Sequence, residues 1–215
     1  MIRLILLDLD GVVRHFDPVA TRNIEAQYAL EPGVIARRAF AAPLLERVTT
    51  GRISHANWVD AIGSAIGNVG AAREWAAQGT RIDRVVIDLV HSTAVPTAIL
   101  TNGTDATRRE LAKHGLTNGF PRIYNSAEIG ITKPDPRVFR HVLDEERLDP
   151  GAVFFVDDSS ANVEAARSLD IHGHVFTDAP TLADALRDLA LGRNRNDERI
   201  TRSDRLETFD AHGSA

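Results

Sequence analysis

Three short apolar runs, each broken off by a polar cluster, constrain this chain more than any other feature. Ile2 to Leu7 is an almost unbroken apolar stretch that stops at Asp8-Leu9-Asp10-Gly11. Thr97-Ala98-Ile99-Leu100 follows Pro96 and stops at Thr101-Asn102-Gly103. Val153-Phe154-Phe155-Val156 follows Gly151 and stops at Asp157-Asp158-Ser159. Runs this short, without polar alternation, predict strands covered on both faces, the habit of parallel sheets. Weaker strands are expected at Arg122-Ile123-Tyr124 and His174-Val175-Phe176. Helical patterns lie between them. One runs from Asp105 to His114, with Thr104 as N-cap and Gly115 as stop. Others run from Asp135-Pro136 to about Glu146, from Ala161 to Leu169 and from Pro180 to Ala190. Ile82 to His91 reads as a further core helix, with Ile82, Val85, Val86 and Leu89 on one face. The alternation predicts an α/β fold: a Rossmann-like parallel sheet flanked by helices, joined by right-handed crossovers.

Residues 15–80 break that rhythm. The stretch is Ala-rich, holds no good strand and is punctuated by glycines. It reads as a small all-helical domain inserted after the first strand, with Trp58 and Trp75 in its core rather than as a stacking platform. The expected organisation is a core of residues 1–14 and 81–191, a helical cap of residues 15–80, and a tail of residues 192–215. That tail, with five Arg and five acidic residues, reads as disordered. A chain of 215 residues with 43% hydrophobic content can bury a core without staples. No apolar run reaches the length of a membrane span or a signal segment, so the expectation is a cytoplasmic protein without a membrane partner.

Each polar cluster falls where a ligand would bind, just outside the carboxyl end of a strand in an open parallel sheet. Asp8 and Asp10 end one strand, Thr101 and Asn102 a second, Asp157 and Asp158 a third. Lys133 lies in the loop Gly130-Ile131-Thr132-Lys133-Pro134, ahead of a helix. Four carboxylates converging on one edge repel one another unless a cation joins them. Carboxylates are hard oxygen ligands suited to Mg²⁺. The donors of Thr101, Asn102 and Lys133 suit phosphate oxygens. The cluster therefore reads as a Mg²⁺-dependent phosphoryl-transfer site. The chain has no cysteine, which excludes disulfides, thiolate metal sites and a cysteine nucleophile, so a carboxylate is the obvious nucleophile. Asp-x-Asp spacing lets the first carboxylate attack phosphorus while the second protonates the leaving oxygen and later activates water. Gly11 lets the chain turn sharply after the strand. A net charge of −5 argues against nucleic acid as a partner.

Four motifs in this order resemble the haloacid dehalogenase superfamily, subfamily I, with a helical cap inserted after the first motif. They are Asp8-Leu9-Asp10-Gly11-Val12, Ile99-Leu100-Thr101-Asn102-Gly103, Lys133 within Gly130 to Pro136, and Val156-Asp157-Asp158-Ser159. The resemblance covers about residues 1–190 and implies the following roles. Asp8 is nucleophile and metal ligand. Asp10 is general acid/base and offers its backbone carbonyl to the metal. Thr101 and Lys133 hold phosphate, with Asn102 close by. Asp158 is a further Mg²⁺ ligand, favoured over Asp157, which is either a direct or a water-mediated one. His15, just past the first motif, sits where the family's flap nears the substrate; a flap histidine without a task is an equal reading.

The expected function is hydrolysis of a small phosphate monoester through an aspartyl-phosphate, with a small phosphorylated metabolite as partner. Three alternatives remain. A hydrolytic dehalogenase needs no acid two residues after its nucleophile, because halide leaves without a proton, and here Asp10 is present. A phosphosugar mutase shares the core motifs and differs in what accepts the phosphoryl group. A non-catalytic binding domain has no use for the full motif set. Arg47 and Arg52, flanking the Gly51 turn, read as solvated cap residues before anion contacts, and His172 with His174 lacks a third metal ligand. Oligomeric state is not legible.

Overall fold

A computed structural model describes residues 1–190; the expectation of a disordered tail over residues 192–215 lies outside the described residues. In chain order the elements are β1 (Leu4–Leu7), β2 (Arg14–Phe16), α1 (Pro18–Gln27), α2 (Val34–Ala39), α3 (Ala42–Thr49), α4 (His55–Ile66), α5 (Val69–Ala76), β3 (Thr80–Ile82), α6 (Arg84–His91), β4 (Thr97–Thr101), α7 (Thr107–Lys113), α8 (Leu116–Gly119), β5 (Ile123–Asn125), α9 (Ser126–Ile129), α10 (Pro136–Glu146), β6 (Val153–Asp157), α11 (Ser160–Arg167), β7 (His172–Val175) and α12 (Ala179–Ala190). Among the described residues, no helix is long and apolar enough to cross a membrane.

Five strands form one parallel sheet in the order β5-β4-β1-β6-β7. The β1 register sets Leu7 against Ile99 on one side and Val156 on the other, so three motif-bearing strands end side by side. Period-two alternation sorts their side chains into two layers. Ile5, Leu7, Ile99, Phe154 and Val156 face α6, α7 and α12 through Val86, Ile87, Val90, Leu111 and Leu182. Leu4, Leu6, Ala98, Leu100, Val153 and Phe155 face α10 and α11 through Val138, Phe139, Val142, Val163 and Ala166. Phe139 meets Phe155 edge-on at 5.1 Å between ring centroids. Both faces of β1 are buried, which is why its sequence reads as a continuous apolar run.

Helices α1 to α5 form a separate body with an apolar core of its own, in which Ile24, Ile35, Val48, Ile62, Trp58 and Trp75 pack together. Trp58 donates its indole N–H to the Ala39 carbonyl at 3.2 Å. Helix starts are set locally: Ser54 accepts from the Asn57 N–H and Asn68 from the Ala71 N–H. Glu25, buried, accepts from the N–H groups of Gly33 at 2.7 Å and Ile35 at 3.1 Å. It thereby satisfies donors at the start of α2, where the N-cap residue, Gly33, has no side chain to do so.

Three local expectations need correction. The stretch 15–80 is not purely helical at its ends, since β2 and β3 form an antiparallel ribbon with Arg14 opposite Ile82 and Phe16 opposite Thr80. The two partners are far apart in sequence and only three residues long, so neither carries a strand pattern by itself. Helix α6 begins at Arg84, because Asp83 accepts from the Val86 N–H. Its buried face is then Val86, Ile87 and Val90, while Val85 is 65% exposed and Ile82 belongs to β3. Helix α7 begins at Thr107 instead of Asp105. Thr104 accepts from the Ala106 N–H and donates its own N–H to Thr107 Oγ1, closing a turn ahead of the helix.

Candidate active site

The three central strands deliver the polar clusters to one edge. Asp8 follows β1, Thr101 ends β4 and Asp157 ends β6, and all three are buried. Lys133, 3% exposed, comes from the loop between α9 and α10 and places its ammonium between two carboxylates. Its Nζ lies 2.8 Å from Asp8 Oδ1 and 2.6 Å from Asp157 Oδ2. Asn102 fixes that loop: its side chain donates to the Lys133 carbonyl at 2.8 Å and accepts from the Lys133 N–H at 2.8 Å. The Asn102 side chain thus grips the backbone of the lysine, where it was expected close to phosphate.

The paired acidic residues after β6 separate in task. Asp157 is spent on the protein, accepting from Lys133, from the Ser159 N–H at 2.8 Å and from Asn162 Nδ2 at 3.0 Å to each oxygen. Asp158 is exposed and, among the described residues, pairs with no cationic side chain. It packs against Gly11, which has a φ of +92°; a Cβ at Gly11 would lie 2.1 Å from Asp158 Oδ2. The expected turning role of Gly11 therefore has a second cause, the space occupied by Asp158.

Carboxylate oxygens of Asp8, Asp157 and Asp158 lie within 4.8 Å of one another. Burial pushes the Asp8 carboxyl up to about 7; Asp157 and Asp10 push the same way, and Lys133 opposes them. Partial desolvation also raises Asp158, with the charge of Asp157 adding to it. Burial by itself would lower Lys133, yet the charges and hydrogen bonds of Asp8 and Asp157 hold it above the ordinary lysine value. Three carboxylates against one ammonium leave an excess of negative charge. Hard oxygens in that number and spacing fit a divalent cation such as Mg²⁺.

Asp10 does not join this group. Its side chain forms a bidentate pair with Arg14, at 2.5 Å to Nε and 2.9 Å to Nη2, and Arg14 Nη1 reaches Glu110 of α7 at 2.8 Å. Arg14 is 5% exposed. Arg14, Glu110 and Asn162 escaped the sequence reading. Asn162 carries a faint signal, a polar residue in the first turn of a helix opened by the Asp157-Asp158 pair. Arg14 carries none until β2 is known to be a strand.

Between the strand ends and the helical body lies a cavity of about 990 Å³. Asp10, Asn102 and Gly103 form its sheet-side wall, and Arg14 and Phe16 enter it from β2. His15, the intervening residue, is not part of that wall; its Nε2 lies 3.3 Å from Asp83 Oδ2. Strand alternation sends it away from where a substrate contact was expected. Arg47 is exposed, and Arg52 pairs with Glu46 on the surface. Two contacts fasten the helical body over the site. Ser126 Oγ donates to the Thr49 carbonyl at 2.6 Å, and the His55 N–H donates to Asp105 Oδ1 at 2.6 Å. Beside the first, Gly51 sits so near Ala127 that a Cβ would lie 2.2 Å from its carbonyl oxygen.

Fold and site define an α/β protein whose acidic centre is built on strand ends beneath a helical insertion. The chain belongs to the haloacid dehalogenase-like hydrolases, whose family model matches residues 2–170. It is 31% identical over 159 residues to a phosphoserine phosphatase from Thermus thermophilus, covering 69% of this chain and 60% of that one. The chain spans less than two thirds of the length of the curated relatives it matches first; for a bifunctional epoxide hydrolase from Rattus norvegicus the identity is 31% over 43% of this chain and 17% of that one. Among solved structures, a haloacid dehalogenase family enzyme from Bacteroides thetaiotaomicron, in complex with magnesium and inorganic phosphate, superposes with a TM-score of 0.70 at 22% identity, covering 82% of this chain and 95% of that one. An L-2-haloacid dehalogenase from Xanthobacter autotrophicus, with chloropropionic acid covalently bound, gives 0.60 at 19% identity over 80% and 76%. At these identities the structural likeness is one of fold.

Proposed function

We propose that this protein is a Mg²⁺-dependent phosphate monoester hydrolase that works through an aspartyl-phosphate on Asp8. The observation that carries the reading is the grouping of Asp8, Asp157 and Asp158 around Lys133, with Asp10 beside them on the cavity wall. Displacement of halide needs neither a cation nor an acid at Asp10, so the same grouping argues against a dehalogenase. The Thermus phosphatase relative and the magnesium and phosphate bound in the Bacteroides structure agree with this reading.

Asp8 and Asp158, with the Asp10 backbone carbonyl, would hold the cation; Asp157 is committed to Lys133, Ser159 and Asn162. The cation would supply charge neutralisation for the phosphoryl oxygens. A carboxylate oxygen of Asp8 attacks phosphorus, the ester P–O bond breaks, and the leaving oxygen takes a proton from Asp10. Water then attacks the phosphorus of the aspartyl-phosphate, giving its proton to Asp10, and phosphate leaves with Asp8 regenerated. Lys133 balances charge at Asp8, and the Thr101 hydroxyl at the end of β4 is the neutral donor for phosphate. The bidentate pair with Arg14 fixes the orientation of the Asp10 carboxyl group.

The test is phosphate release from a panel of phosphomonoesters with Mg²⁺ and with a chelator. Turnover should require the cation, and Asp8→Asn should lower it at least about a thousandfold while keeping the native circular dichroism spectrum. Undiminished turnover in that variant would remove Asp8 as the nucleophile.

A further inference from the structure

The walls of the 990 Å³ cavity say what kind of molecule carries the phosphate. Among the described Phe, Tyr and Trp residues, only two are left largely exposed, Phe16 at 47% and Phe40 at 58%. Both line this cavity. Phe40 stands edge-on to Trp75 at 6.4 Å, and Trp75 to Trp58 at 5.5 Å, so an aromatic wall runs from the surface of the helical body into its core. Leu45 and Val48 extend it. A folded chain normally withdraws rings of this size from water, and leaving two of them on one concavity marks a ligand surface.

Many polar groups of the same walls are already engaged, while Arg22 and Lys113, both exposed, keep free cationic side chains among the described residues. Both Glu25 oxygens accept backbone N–H groups, and the Trp58 N–H is held by the Ala39 carbonyl. Thr49 Oγ1 donates to the Leu45 carbonyl, and Thr107 Oγ1 accepts from Thr104. Arg14 is taken up by Asp10 and Glu110. Arg22 and Lys113 are the exposed cations left to meet polar groups. Along the aromatic wall a polyhydroxylated body such as a sugar would shed water without replacement hydrogen bonds, which is unfavourable. An apolar body meets no such obstacle. The volume is also large for a two- or three-carbon ester, lying at the upper end of pockets that enclose drug-sized ligands, about 300–1,000 Å³.

We infer that the preferred substrate is a phosphate monoester of an apolar alcohol or phenol, its hydrocarbon body lying on Phe16, Phe40, Trp58 and Trp75 and its phosphate at Asp8. This rests on the phosphohydrolase reading above and names its substrate class. Phe16 and Phe40 are the specificity-determining residues.

Two measurements test it separately from that reading. The first is kcat/KM, with Mg²⁺, for n-alkyl phosphates from ethyl to octyl, with glucose 6-phosphate as the polar comparison. Each added methylene should raise kcat/KM about fourfold until the cavity is filled, and glucose 6-phosphate should fall below hexyl phosphate. Phe40→Ser, at a residue already largely in water, should flatten that dependence with an unchanged melting temperature. The second is binding of the matching n-alkyl phosphonates, which cannot be hydrolysed, followed by tryptophan fluorescence. Affinity should climb with chain length in step with the esters. A chain-length-independent affinity, or glucose 6-phosphate matching hexyl phosphate in kcat/KM, overturns the inference while leaving the phosphohydrolase intact. Hydrolysis of no ester, with affinity still rising along the phosphonates, overturns the chemistry and leaves the apolar cavity standing.

Discussion

Asp8 carries two demands that pull in opposite directions. In the proposed reaction it must be shielded from water to attack phosphorus, and it must be ionised to do so. Burial pushes its carboxyl from 3.8 to about 7, against the pull of Lys133. In the folded, cation-free protein Asp8 therefore keeps a proton that the unfolded chain loses. Between those two values the folded state binds more protons than the unfolded one, so its stability falls as pH rises across that window and levels off above it. Asp8→Asn removes the titrating group. Urea melts in chelator at about pH 5 and about pH 8 should show wild type losing more stability between the two than the variant. Added Mg²⁺ should shrink that loss in wild type, since a cation selects the carboxylate. An identical pH response in both proteins would contradict the placement of Asp8. At this scale the sequence was informative wherever a polar residue interrupts an apolar run: Asp8, Thr101 and Asp157 stand where the runs predict. It was silent on direction. Nothing in the string Val13-Arg14-His15-Phe16 says that Arg14 enters the site and His15 turns to Asp83, because that follows from a strand pairing and not from composition.

Elements differed in legibility for one reason, the sequence distance over which each is specified. Strands β1, β4 and β6 and helix α10 carry their own pattern and their own boundaries, and they lie where that pattern puts them. The ribbon of β2 and β3 is defined by pairing across the whole insertion, and α6 is phased by the single cap at Asp83. The contact of the α3–α4 turn with α9 is also invisible in sequence: Gly51, with a φ of +71°, nearly touches the Ala127 carbonyl, and Ser126 holds Thr49 beside it. Gly51→Ala puts a Cβ into that carbonyl and strains the left-handed backbone. We expect it to lift the turn off α9 and raise KM several-fold, with a drop in stability of about 1 kcal/mol. Steady-state kinetics and a urea melt read the two effects, and an unaltered KM would mean that this turn does not hold the insertion over the site.

The described residues form three apolar clusters, two against the sheet and one in the helical body, with the ribbon between sheet and body. Neither sheet-facing cluster contains a residue from 17–79, and the cluster of the helical body contains none from the sheet. Replacing residues 17–79 with a short turn between Phe16 and Thr80 should therefore leave a folded α/β sheet. That shortened protein should keep Mg²⁺-dependent release from an activated ester such as p-nitrophenyl phosphate, while losing preference among alkyl phosphates. Circular dichroism and the ratio of kcat/KM values check the two halves of that expectation, and a shortened chain that collapses would show that the sheet leans on the insertion for its stability.

Because Phe16 and Thr80 face each other in the ribbon, the helical body enters and leaves through a single doorway. Under the proposed function, chemistry and selectivity would then be separable parts: the strand ends a fixed engine, and the body above them an exchangeable attachment that can vary in shape without resetting the register of any sheet strand.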